Sequence, residues 1–279
     1  MEPGKTALVS IMVANNEVGT LQPLKDISKI CRQHGIIFHS DGSQAVGKIP
    51  IDVDEIGVDM LSIAAHKFYG PKGVGALYCR SKFRPQSLIF GAAQEAGLRS
   101  GTENVSGIAG FGKAAVLAAA DFRQSHHERL ETLRDQFQER LLERFPDARV
   151  NGHPTQRLPM ILSIGFPGFT GFDIMKSLSD QLAFSAGPAC NKTGSLSVTL
   201  TAMKVPAEYS RGTIRLSVGR FSTPEQLERA FQLLCSVLDP EETDESYESY
   251  GTEEDEYDEE DDDDDDGDDG DDLEEEEEE

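Results

Sequence analysis

Four residues in this chain are of types that do covalent or charge-recognition chemistry and sit where they could be presented: Lys67, Cys190, Arg215 and Asp41. Lys67 follows the apolar run 60–65 and precedes a loop containing Gly70, Pro71, Gly73 and Gly75. A buried strand there would deliver the lysine to the carboxyl end of a sheet, where open α/β folds place their ligands. Half-enclosure at that edge disfavours the ammonium form and frees the amine for a Schiff base. By itself the stretch also reads as a solvated loop. Cys190 lies in FSAGPACNKTG, an unusual setting for a residue that prefers burial, and Lys192 beside it favours the thiolate. Cys31, Cys79 and Cys235 lie on apolar faces and read as packing residues. Arg215, inward-looking in the strand-like TIRLSVGR, suits either a bidentate carboxylate clamp or a structural ion pair.

The elements that must position these groups are legible. Residues 7–13 form an apolar run that empties into Asn15, Asn16 and Glu17. A helix is expected from Pro23 to His34, with Leu24, Ile27, Ile30 and Cys31 on one face and Gly35 as its stop. Ile36 to Phe38 predicts a second strand ending in His39, Asp41 and Gln44, and residues 59–65 a third ending in His66 and Lys67. Residues 75–79 make a fourth. Strands alternating with helices indicate an α/β fold with a largely parallel sheet whose strand ends share one edge. A helix is expected over 105–120 and a long amphipathic one over 121–145, carrying Leu130, Leu133, Phe137, Leu141 and Phe145. Short strands at 149–151, 160–166 and 213–220, with helices at 173–179 and 225–238, complete a smaller α+β part. The organisation read is a large domain over 1–120, a small domain over 121–238 and a tail over 239–279.

Charge sorts the chain further. Of its 51 acidic residues 29 lie in the last 41 positions, together with none of its 26 lysines and arginines. That acidic tail cannot bury enough apolar surface to offset its ordering entropy, so disorder is expected, as a solvated tail or as a partner for a basic surface. The remaining 22 acids against 26 bases are no nucleic-acid footprint. No run reads as a membrane span, and the first ten residues lack the pattern of a secretory signal. Four dispersed cysteines argue against a metal site or a disulfide framework and for a cytoplasmic or other reducing compartment.

A lysine that forms an imine with an aromatic aldehyde needs an acid to keep the ring nitrogen protonated. Asp41 is placed for that, or simply for starting the turn at Gly42 and Ser43. The motifs SIM-x-x-NNE-x-G, H-x-D-x-x-QAVGK, HK-x-YGPKG-x-GALY and R-x-GTEN occur in this order. Together, from about Val9 to Leu234, the chain resembles the cysteine desulfurase and selenocysteine lyase branch of the class-V aminotransferases, which are pyridoxal-phosphate enzymes. The resemblance implies that Lys67 carries the cofactor and Asp41 pairs with the pyridinium nitrogen. It further implies that Gln44 and Asn16 contact the phenolic oxygen and that His66 joins the phosphate cup. Thr102 would reach the phosphate of a neighbouring subunit, which implies a homodimer; read from the residues alone, Thr102 serves equally as a helix N-cap. Cys190, in S-x-G-x-AC, becomes the nucleophile and Arg215 the clamp for the substrate carboxylate. L-cysteine or L-selenocysteine would be the substrate, alanine the product, and a sulfur-acceptor protein the recipient, as in iron–sulfur cluster assembly.

The alternatives are a selenocysteine lyase, and a truncated, low-activity or non-catalytic relative acting by binding. Three departures from the family pattern bear on this. An earlier segment, with a Gly/Ser/Thr phosphate turn and a ring-stacking histidine, does not precede the first strand. Ala64 stands where many relatives have a hydroxyl. Ala92 and Ala93 replace common glycines, and alanine resists positive φ. These leave the cofactor cup half built, so weak cofactor binding and poor turnover are expected of these 279 residues alone.

Overall fold

Short apolar runs separated by about one helix length each form the strands of one sheet. In the computed structural model, which describes residues 4–186 and 196–239, β1 (Leu8–Met12), β2 (Ile37–Asp41) and β3 (Met60–Ala64) run parallel. β4 (Gly75–Cys79) closes the order β1-β2-β3-β4 antiparallel to β3. The register sets Met12 beside Asp41 and Asp41 beside Ser62. The loops leaving β1, β2 and β3 therefore open on a single carboxyl edge, as the alternation of strands and helices predicts. Helix α1 (Leu24–Gln33) turns Leu24 and Cys31 onto Phe38, Val58 and Leu61. Pro23 stands just before its first turn, not within it. The single-turn helix α2 (Val53–Ile56) is capped by Asp52, whose carboxylate accepts from the Asp54 and Glu55 N–H groups.

The expected helix over 121–145 is shorter than its pattern. Helix α3 (Val105–Arg123) includes Asp121, and α4 (His126–Arg144) starts after a break where Ser125 takes a φ of 53°. Residue 125 leaves the right-handed region there, so two helices meet at a corner. Helix α3 is long and apolar enough to cross a membrane by length and composition, against the sequence expectation of no such run. Its bulky apolar residues Val105, Ile108, Phe111, Val116, Leu117 and Phe122 are spread among alanines and glycines, so no continuous bulky run stands out. Ala114 and Ala118 pack on Phe68, and Phe111 meets Phe68 at 5.7 Å between ring centres.

The second sheet is antiparallel, with β5 (Arg149–Val150), β6 (Ile161–Gly165) and β7 (Thr213–Ser217) in that order. Every residue of β6 is buried. Helix α5 (Gly171–Ser177) begins two residues earlier than the pattern indicates, because Thr170 accepts from the Asp173 N–H. Helices α6 (Val198–Ala202), α7 (Ala207–Arg211) and α8 (Pro224–Leu238) follow. Helix α4 links the two cores: Leu130 packs with Phe38 and Ile161, whereas Phe137 and Leu141 pack with Leu162, Ile164, Ile214 and Leu234. Helix α8 depends on a reciprocal cap between Thr223 and Gln226. Replacing Thr223 with alanine is expected to cost about 1 kcal/mol in denaturant unfolding.

Candidate active site

β3 ends in a single tight turn, residues 65–68, whose Ala65 and Phe68 are buried. Those two anchors leave His66 and Lys67 standing outside the core. Tyr69 follows with a φ of 69°, a strained position for a bulky residue. Its hydroxyl accepts from the Arg220 N–H at 2.8 Å, and the Arg220 guanidinium lies 5.1 Å from its ring centre. Gly47 brings the Gln44–Lys48 turn onto this loop. It has a φ of +77°, and a Cβ there would stand 2.8 Å from the Phe68 side chain, so only glycine permits the approach.

These pieces enclose a cavity of about 270 Å³, lined on its polar side by Gln44, Lys48, His66, Lys67, Arg215 and Arg220, near the lower end of small-molecule sites. Its apolar wall is Leu130, Met160 and Ile161. The single carboxylate among the described lining residues, Asp121, is ion-paired with Arg220. Arg215 donates from Nη1 to the Asn16 carbonyl at 2.7 Å and from Nη2 to Ser185 Oγ at 2.8 Å. Its Nε is buried without a partner among the described residues, and a buried unpaired donor in a cavity wall calls for an acceptor from a ligand. Lys48 donates to Gln44 Oε1 at 3.2 Å. Burial, reinforced by the positive charges of Lys67 and Arg215, pushes its ammonium down to about 8. An amine, several cations and an orphaned guanidinium N–H suit an anionic aldehyde, and pyridoxal phosphate fits that description.

Of the residues singled out from sequence, Gln44, His66, Lys67 and Arg215 meet in this cavity. Asn16 is tied to it through its backbone carbonyl, while the residue itself is exposed. Asp41 lies at the shared sheet edge but not in the cavity wall. It is exposed, and its Oδ1 accepts from the Ser43 N–H at 2.8 Å, the turn-starting use of aspartate. It shares a sheet face with His39, whose ring bridges the Ser10 and Ser62 hydroxyls. Thr102 is exposed and does not cap α3; Asn104 does, accepting from the Gly107 N–H at 3.0 Å, because it sits one position before the first helical residue. Cys190 lies outside the described residues.

Two further expectations are corrected. Lys67 is exposed, not half-enclosed, and the lysine whose ammonium burial disfavours is Lys48. The left-handed backbone near Gly91 falls on Glu95 and Ala96, not on Ala92 or Ala93. Sequence reading also passed over Glu17, which accepts from Ser197 Oγ at 2.5 Å and Thr199 Oγ1 at 2.6 Å. With the Arg215–Ser185 contact, this ties the chain on both sides of residues 187–195 to the loop after β1. For Cys31 and Cys235 the packing reading agrees with thiols pushed up by burial.

The model of the family described as "Aminotransferase class-V" matches residues 3–230. The cysteine desulfurase IscS of Methanosarcina thermophila is 43% identical over 235 residues, which is 84% of this chain and 58% of that protein. The NifS-like protein from Rickettsia africae ESF-5 superposes with a TM-score of 0.77 at 31% identity, covering 84% of this chain and 62% of that one. A structure described as SspA in complex with cysteine has a TM-score of 0.59 at 31% identity, covering 79% of this chain and 61% of the other. The chain thus spans about three-fifths of the length of the relatives it matches.

Proposed function

The chain belongs to the class-V aminotransferase family, and from that membership we propose that it is a pyridoxal-phosphate-dependent cysteine desulfurase, taking sulfur from L-cysteine as a persulfide on Cys190 and releasing L-alanine. The observation that carries this reading is the meeting of Gln44, His66, Lys67 and Arg215 around one cavity whose wall holds an Arg215 Nε with no partner among the described residues. Lys67 would hold the cofactor through its amine, with His66 serving its phosphate and Asp41 its ring nitrogen, while Thr102 would serve the phosphate held by a second copy. When bound, pyridoxal phosphate supplies an electron sink next to the substrate's α-carbon.

The chain's own groups do the rest. Arg215 binds and orients the substrate carboxylate. The Lys67 amine carries a proton to and from the substrate carbon. Cys190 thiolate bonds to the substrate sulfur as the Cβ–S bond breaks, and the three-carbon remainder leaves as alanine. Sulfur is oxidised as carbon is reduced, so no outside oxidant is needed. Transfer of the persulfide sulfur to an acceptor protein, as iron–sulfur cluster assembly requires, follows from this product. The exposure of Thr102 at the start of α3 leaves it free to reach a second copy, which supports a homodimer. The free thiols of Cys31, Cys79 and Cys235 suit a reducing compartment.

The test is a single turnover of purified chain with saturating pyridoxal phosphate. L-cysteine should give alanine and protein-bound persulfide in equal amounts, with the persulfide on the Cys190 peptide. No alanine from L-cysteine or from L-selenocysteine run in parallel refutes the assignment, and alanine from selenocysteine alone replaces it with a lyase.

A further inference from the structure

Lys48 is a cavity residue to which the family resemblance assigns no part. It lies four positions after Gln44, on the turn that Gly47 packs against Phe68. Its ammonium donates to the Gln44 amide oxygen at 3.2 Å. An amide oxygen held this way leaves the amide N–H₂ group as the end available to a ligand. The cations facing Lys48 are Lys67 from the lysine turn and Arg215 from β7. The same cavity holds His66 on that turn and His126 and His127 at the start of α4, and its one carboxylate among the described residues, Asp121, is engaged by Arg220.

We propose that Lys48 is a positioning residue of the cofactor site: it fixes Gln44 with its amide donors turned toward the phenolic oxygen of a bound vitamin B6 phosphate. The inference rests on the cofactor reading above and adds the residue that orients one of its contacts. Without the ammonium, Gln44 is free to rotate and to present its oxygen to another oxygen, which repels. Burial holds the Lys48 ammonium to about 8, so the charged form that orients Gln44 is present below that pH and lost above it.

The experiment measures binding of pyridoxine 5′-phosphate by calorimetry across pH. This compound keeps the ring, phenolic oxygen and phosphate but has no aldehyde, so it reports the site without a bond to Lys67. The unaltered chain should bind about tenfold more weakly as pH rises through about 8. Lys48→Met should bind at the weak level already below a pH of about 8 and keep only the pH dependence of the ligand's own ring nitrogen. Lys48→Arg, which stays charged, should bind tightly below that pH and weaken less above it than the unaltered chain does. A Lys48→Met profile superposing on that of the unaltered chain overturns the proposal while leaving the cofactor site standing, as does an inflection in Lys48→Arg no smaller than that of the unaltered chain. No binding by the unaltered chain at any pH overturns the cofactor reading and this proposal with it.

Discussion

Replacing Lys67 with alanine is expected to abolish the visible absorbance that pyridoxal phosphate develops with this chain and to lower alanine release from L-cysteine by about 10³-fold, the scale of losing a positioned proton carrier. The argument begins with the turn. Ala65 and Phe68 are buried and carry the packing, whereas Lys67 is exposed and contributes to the cavity wall. Deleting its amine therefore removes chemistry without removing core contacts, and thermal stability should stay within about 0.5 kcal/mol. Lys67→Arg sharpens the test, because it keeps a positive charge that cannot condense with an aldehyde. Equal loss in both variants ties the effect to the amine. Undiminished alanine release from Lys67→Ala would remove this lysine from the mechanism.

Much of this arrangement is legible in the chain before any coordinates, for a physical reason. Each parallel strand is a short apolar run, and each ends where polar residues begin, so Asn16, Asp41 and Lys67 announce one carboxyl edge. The loop residues Gln44 and His66 follow within a few positions and inherit that placement. Lys48 could not be read in the same way. It shares its cavity with Leu130 of α4 and with Met160 and Ile161 at the start of β6, which arrive from elements more than 80 residues downstream, and local pattern says nothing about such a wall. The boundary between the two helices reads early, at 120/121 instead of at Ser125, since nothing in residues 121–125 breaks a helix by composition. Asp41 illustrates a third limit. A carboxylate beside Gly42 and Ser43 serves its own turn as readily as a ligand, and here it accepts from Ser43 at the exposed end of β2.

Arg215 is expected to produce the second large effect, and a mixed one. Replacing it with alanine should raise KM for L-cysteine about 100-fold, equivalent to roughly 2.7 kcal/mol and within the range for truncating one side of a hydrogen-bonded charge pair. It should also lower stability by about 1–3 kcal/mol, because the guanidinium joins the Asn16 carbonyl to Ser185 Oγ. The two consequences separate with a second variant. Ser185→Ala removes one of those ties and leaves the guanidinium in place, so it should lose part of the stability with KM nearly unchanged. Arg215→Lys keeps the charge but not the planar fork, and a compact ammonium cannot reach the Asn16 carbonyl, the Ser185 hydroxyl and a carboxylate together. Its KM should rise about tenfold, between the other two variants. If Arg215→Ala melts earlier yet keeps its KM, the guanidinium is a brace between the loop after β1 and the segment at Ser185, and the substrate carboxylate is held elsewhere.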